Sequence, residues 1–195
     1  NIIEFFQNHM SAWRKKILNG DRLQQCVSCY KMEDHGKISG RQRQLLKVGI
    51  FPDKFTKSFL SSPMFGKIKQ SYENNGVTDC LPVDLQLDVG NFCNSACVMC
   101  EPRSSSRLAN EWHKIGLIKE KHDNTAWTDD PFLVEGFVES LSKIKGLRYV
   151  HFLGGETLIV PAFKKMLDKL NQCGMSDRVT IGTTTNLTVF PEDVI

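Results

Sequence analysis

Three cysteines stand at 93, 97 and 100 in the stretch LQLDVGNFCNSACVMCEPRSSS, residues 85–106. A C-x3-C-x2-C spacing puts three soft thiolate donors on one short loop. Such a set suits an iron–sulfur cube in which one iron has no protein ligand and stays open to a substrate or cofactor. Two other readings of the same residues stand beside it. Zinc in a structural role wants four closed ligands, and His113 is near enough in sequence to complete a set with the cysteines. A cluster that only carries electrons, in transfer or redox sensing, needs no open iron.

The elements around the cysteines predict how they are positioned. VDLQLDV (83–89) alternates apolar and polar residues, LRYVHFL (147–153) is rich in strand formers and RVTIGTTTN (178–186) is β-branched, so these three segments read as strands. Helical spacing lies between them: Leu108, Trp112 and Ile115; Phe137, Leu141 and Ile144; then Phe163, Met166, Leu167 and Leu170, closed by Gly174. Strands alternating with helices predict right-handed crossovers and a parallel sheet. Ligands of such sheets gather at the carboxyl ends of the strands. Cys93-x3-Cys97-x2-Cys100 follows the first strand, Gly154-Gly155-Glu156 the second, and Thr183-Thr184-Thr185-Asn186 ends the third, so one ligand would be within reach of all three loops.

The first 80 residues have a different character. Ile3, Phe6, Met10, Trp13 and Ile17 mark one face of a helix that Asn19-Gly20 stops. Loops and short helices follow, with turn signals at Asp34-His35-Gly36, Ser61-Ser62-Pro63 and Asn74-Asn75-Gly76. Arg41, Arg43 and Lys47 make a basic patch, and residues 119–131 read as a polar excursion pinned by Trp127.

The chain of 195 residues carries 25 Lys and Arg against 22 Asp and Glu, a net charge of +3 that argues for no nucleic acid or other polyanionic partner. It has no apolar run of the roughly 20 residues that span a bilayer and no secretory signal, which predicts a cytoplasmic protein. Seven cysteines, an odd count with two tight clusters, suit thiolate ligands in a reducing compartment better than a disulfide framework. Cys80 and Cys173 stand alone and read as small buried apolar residues. The chain opens on Asn1 and stops just after FPED, which looks like a helix beginning, so both ends are expected to be cuts in a longer chain.

CNSACVMC, with Gly-Gly-Glu ending the next strand, resembles the radical S-adenosylmethionine superfamily. The resemblance runs from about Val83 to the end. It implies an α/β fold, a partial (β/α) barrel with about three βα units over residues 81–195, preceded by a mainly helical and loop segment over residues 1–80. It implies further that Cys93, Cys97 and Cys100 hold a [4Fe-4S] cluster and that the open iron chelates S-adenosylmethionine. Met99 would lie beside the adenine, Gly154, Gly155 and Glu156 near the amino group, and Thr185 and Asn186 at the ribose or carboxylate. The implied activity is reductive cleavage of S-adenosylmethionine to a 5'-deoxyadenosyl radical that abstracts hydrogen from a substrate, a peptide or small molecule, with flavodoxin or ferredoxin as electron donor.

The earlier segment is similar to one that precedes the barrel in twitch-type proteins related to the SPASM group. It matches at Cys26, Cys29, Glu33, Gly36, Ser39 and Arg41. By that resemblance Cys26 and Cys29 would supply two ligands of an auxiliary iron–sulfur cluster. A zinc knuckle and a CxxC that binds nothing are the alternatives.

Overall fold

The structure, a computed structural model, describes residues 2–52, 54–120 and 126–192. Ile3–Cys80 makes one compact unit, and the described residues from Leu81 onward, with Ile2, make another. No helix among the described residues is long and apolar enough to cross a membrane.

The first unit is helical. Its opening helix takes in α1 (Ile2–Glu4) from Ile3 onward, widens to a π-helical stretch over Phe5–His9 and continues as α2 (Met10–Leu18). Asn19-Gly20 stops it as expected: the Asp21 N–H donates to the Lys16 carbonyl at 2.9 Å, satisfying a carbonyl the helix leaves over. The Asn74-Asn75-Gly76 turn follows α6 (Pro63–Glu73) and packs directly on α2. A Cβ at Gly76 would lie 2.8 Å from both the Ser11 carbonyl oxygen and the Lys15 nitrogen, and Arg14 Nε donates to the Gly76 carbonyl at 2.7 Å.

Between them lie α3 (Val27–Asp34), α4 (Gly40–Lys47) and α5 (Lys57–Leu60). Ser39 and Gln42 form a reciprocal capping box at the start of α4. The Glu33, Ser39 and Arg41 of the sequence pattern make a clasp: Arg41 Nε and the Ser39 hydroxyl both donate to Glu33, and the Arg41 guanidinium lies 4.8 Å from the centre of the Tyr30 ring. Arg41 therefore does not serve the basic patch expected of it with Arg43 and Lys47, because its charge is already paired.

Hydrogen bonds from Arg41 and then Ser39 hold the Glu33 carboxyl below the ordinary carboxylate range. A carboxyl whose pKa is lower folded than unfolded adds stability above its unfolded value, and that contribution is lost as pH falls through the folded value. The urea midpoint of this unit is expected to fall between about pH 5 and about pH 3, and to do so more steeply in the parent than in Glu33→Gln. Equal slopes would mean that the clasp does not form.

The second unit runs β1 (Asp84–Asp88), α7 (Ser106–Lys114), α8 (Pro131–Ser142), β2 (Tyr149–Leu153), α9 (Pro161–Gln172) and β3 (Thr180–Thr183). The strands pair in parallel in the order β1-β2-β3, with Leu85 beside Val150 and Leu87 beside Phe152. This alternation puts Leu85, Leu87, Val150 and Phe152 on one face. Val150 and Phe152 are fully buried, and Phe152 meets Phe163 of α9 edge to face at 5.1 Å. Val138, Leu141, Ile144, Leu147, Met166 and Met175 complete this core. Asp84, Gln86, Asp88, Tyr149 and His151 take the other face.

The strands are shorter than their sequence patterns. The paired residues of β3 stop at Thr183; the Thr184 N–H still donates to the Phe152 carbonyl of β2, whereas Thr185 and Asn186 turn to a partner outside the sheet. Of the polar excursion, residues 121–125 lie outside the described residues. The part that returns clamps the end of β1: Trp127 Nε1 donates to the Asp88 carbonyl and the Thr128 hydroxyl to the Val89 carbonyl, each at 2.8 Å, while the Trp127 ring packs edge-on against Phe137. Of the FPED stretch, where a helix was expected to begin, Phe190, Pro191 and Glu192 are not helical, and Asp193 lies outside the described residues.

Candidate functional site

The parallel ladder between β1 and β2 continues past both strands and brings their loops together. The Val89 N–H donates to the Leu153 carbonyl, Gly155 to Gly90 and Glu156 to Phe92, each at 2.8 Å. Gly154 and Gly155 make this approach feasible. A Cβ at Gly154 would lie 2.4 Å from the Gly90 carbonyl oxygen, and one at Gly155 would lie 2.3 Å from that of Phe92 and 2.6 Å from that of Asn91. The two glycines, expected near a ligand's amino group, let the β2 loop lie against the backbone of the cysteine loop.

Glu156 is also differently employed. Its side chain is fully buried, and its carboxylate accepts from the Thr185 hydroxyl at 2.6 Å, the Asn186 N–H at 2.6 Å and the Leu158 N–H at 3.1 Å. The acid expected to offer charge to a ligand is a strut that fixes the β3 loop against the β2 loop. Thr185 and Asn186, expected at a ligand's ribose or carboxylate, lie beside Glu156, and the Thr185 hydroxyl donates to that carboxylate.

Asn186 completes the junction. Its amide Nδ2 donates to Asn94 Oδ1 at 3.1 Å and Ser95 Oγ at 3.0 Å, and Asn94 Nδ2 donates to the Thr188 hydroxyl at 2.8 Å. The serine run pegs the other end of the cysteine loop. Ser105 caps α7 by accepting from the Leu108 N–H and donates its own proton to the Ser95 carbonyl at 2.7 Å. The Ser106 hydroxyl accepts from the Cys93 N–H at 3.1 Å, its N–H donates to the Asn91 carbonyl, and Arg107 Nη1 donates to the Asn94 carbonyl. Asn94, Ser95, Ser105, Ser106 and Arg107 are the positioning residues that sequence reasoning passed over. Only Ser105 carried a local signal, as an N-cap residue ahead of the apolar spacing of α7.

The loop so held carries Cys93 and Cys100, both half-buried, and Cys97, which is exposed. All three are thiols outside any disulfide, and a Ser95 N–H points at Cys93 Sγ from 3.4 Å. Among the described residues no three or more His, Cys, Asp or Glu side chains are gathered closely enough to hold a metal ion. The donors therefore share one tethered loop without being drawn into one coordination set, and His113, exposed in the last turn of α7, does not join them. Val98 and Met99 form the tip of the loop, and Met99 is 97% exposed, with its thioether uncovered.

The remaining cysteines depart from expectation or stay apart. Cys80 is exposed and Cys173 half-buried, where both were expected in the core; Cys173 sits at the C-cap of α9, at the rim of the helix layer. Cys26 and Cys29 lie at the start of α3, in the first unit. On the open face of the sheet the structure adds a chain that sequence reasoning did not single out: Tyr149 OH to His151 Nδ1 at 3.0 Å, and His151 Nε2 to the Thr184 hydroxyl at 2.9 Å.

No family model matches the sequence, and no curated protein matches it. Among solved structures the chain is similar to that of Streptococcus suis SuiB bound to precursor peptide SuiA, at a TM-score of 0.41 and 16% identity. That likeness covers 87% of this chain and 33% of the other, so the chain spans about a third of that protein's length.

Proposed function

We propose that the unit beginning at Leu81 is the cluster-bearing part of a radical S-adenosylmethionine enzyme, with Cys93, Cys97 and Cys100 as ligands of a [4Fe-4S] cluster. One observation carries the reading: a loop bearing three thiols is tied at both ends and meets the loops of two neighbouring parallel strands at their carboxyl ends. The donor set fits the group by its chemistry, since three thiolates serve three irons of a cube and leave the fourth open. When bound, such a cluster supplies the electron for reductive cleavage of S-adenosylmethionine.

The chain's own residues prepare the place. Gly154 and Gly155 let two loops meet without intervening side chains, and Glu156 holds Thr185 and Asn186 beside them. Asn186 pins the cysteine loop through Asn94 and Ser95. Met99 keeps an apolar, polarisable side chain uncovered at the loop tip, suited to packing on a flat base. The substrate is a peptide or small molecule taken at the same end of the sheet.

The test is anaerobic reconstitution with iron and sulfide, metal analysis, and electron paramagnetic resonance of the dithionite-reduced protein with and without S-adenosylmethionine. A [4Fe-4S] signal that changes on adding S-adenosylmethionine, and that is lost in Cys97→Ala, is expected. Zinc in place of iron, or a signal that ignores S-adenosylmethionine, would overturn the reading.

A further inference from the structure

The first unit holds a second pair of thiols that the proposed chemistry does not use. Cys26 ends the 3-10 turn Gln24–Cys26 and occupies the N-cap position of α3, where its side chain makes no capping bond, and Cys29 follows in the first turn. Both are half-buried, so both can be reached from solvent. Two thiols are half of what a closed zinc site or a four-cysteine cluster needs. No further His, Cys, Asp or Glu is gathered with them into a metal-binding group among the described residues. Among the described residues the pair by itself therefore supplies only two of the four ligands of the auxiliary cluster that the resemblance implies.

The same spacing suits a different bond. Residues three apart on one helical turn have Cα atoms about 5 Å apart from the helix rise and radius, inside the roughly 4.4–6.8 Å that a disulfide spans.

We propose that Cys26 and Cys29 are a redox modification site, a dithiol that closes reversibly to a disulfide by exchange with a low-molecular-weight disulfide such as oxidised glutathione. The Cys26 thiolate attacks one sulfur of that disulfide, breaks its S–S bond and forms a mixed disulfide, and the first small thiol leaves with a proton. The Cys29 thiolate then attacks the Cys26 sulfur, forms the Cys26–Cys29 bond and releases the second small thiol. Two electrons pass from the cysteine pair to the small disulfide, and the protons of the two cysteines leave on the two small thiols.

The site is tested on the full chain by equilibration in glutathione redox buffers, alkylation of remaining thiols and peptide mapping, alongside iron and zinc analysis. Mapping assigns each thiol by residue, so the cysteines at 93, 97 and 100 are read separately and the outcome does not depend on the cluster proposed there. The expected product is a peptide linked between Cys26 and Cys29 that reverts with reduced glutathione. In Cys29→Ser the reaction should halt with glutathione held on Cys26, and in Cys26→Ser it should halt with glutathione held on Cys29. Iron or zinc retained by this pair, linkage of Cys26 or Cys29 to another cysteine, or thiols that stay unlinked at excess oxidised glutathione would each overturn the proposal.

Discussion

Glu156→Ala is expected to lower the unfolding free energy of the unit beginning at Leu81 by about 3 kcal/mol or more, the largest effect of any single polar substitution in the site. The carboxylate is fully buried and accepts from a hydroxyl and two backbone N–H groups in two different loops. Alanine removes the acceptor and leaves the three donors in place. Each buried donor without a partner costs about 1–3 kcal/mol, and the three costs overlap because the loops relax together. Glu156→Gln keeps one carbonyl oxygen but turns an NH2 group toward one set of donors, so its cost should lie between those of the parent and of alanine. Urea denaturation measures all three proteins. A loss below about 1 kcal/mol in the alanine variant would mean that Glu156 is not the strut between the loops, and its carboxylate would again be available to a ligand.

That outcome bears on what could be read from the residues alone. Alternation in VDLQLDV and the β-branched run at 178–186 announced the strands, since pleated backbone sorts side chains by parity and the buried face must be apolar. Helix stops were equally visible, because Asn19-Gly20 and Asn74-Asn75-Gly76 answer to local backbone conformation. The cysteine spacing likewise placed three donors on one loop. Glu156 was legible as an acid at a strand end, but not its destination, because Thr185 and Asn186 lie about thirty residues further on and only the parallel crossover brings them near. Arg41 shows the same limit within the first unit: a cation in a basic run becomes half of a clasp once α3 and α4 place Glu33 against it. Local signals fix elements, whereas a polar side chain's partner is a property of tertiary proximity, which no single stretch encodes.

Gly155→Ala is the second large effect, expected to cost about 2–4 kcal/mol from overpacking and lost hydrogen bonds. The added Cβ would lie 2.3 Å from the Phe92 carbonyl oxygen, 2.6 Å from the Phe92 carbonyl carbon and 2.6 Å from the Asn91 carbonyl oxygen. All three are backbone atoms, so no side-chain rotation relieves the contact, and the loops must separate. Separation weakens the bonds from Gly155 to Gly90 and from Glu156 to Phe92, the same bonds that carry the β1–β2 ladder into the site. Gly146→Ala is the matched control: a Cβ there meets nothing within 4 Å, and its cost should stay within about 0.5 kcal/mol. Thermal and urea unfolding of the three proteins decide the matter. A Gly155→Ala protein as stable as the control would mean that the β2 loop does not lie against the cysteine loop, and the reason for treating the thiols and the Gly-Gly-Glu turn as one site would go with it.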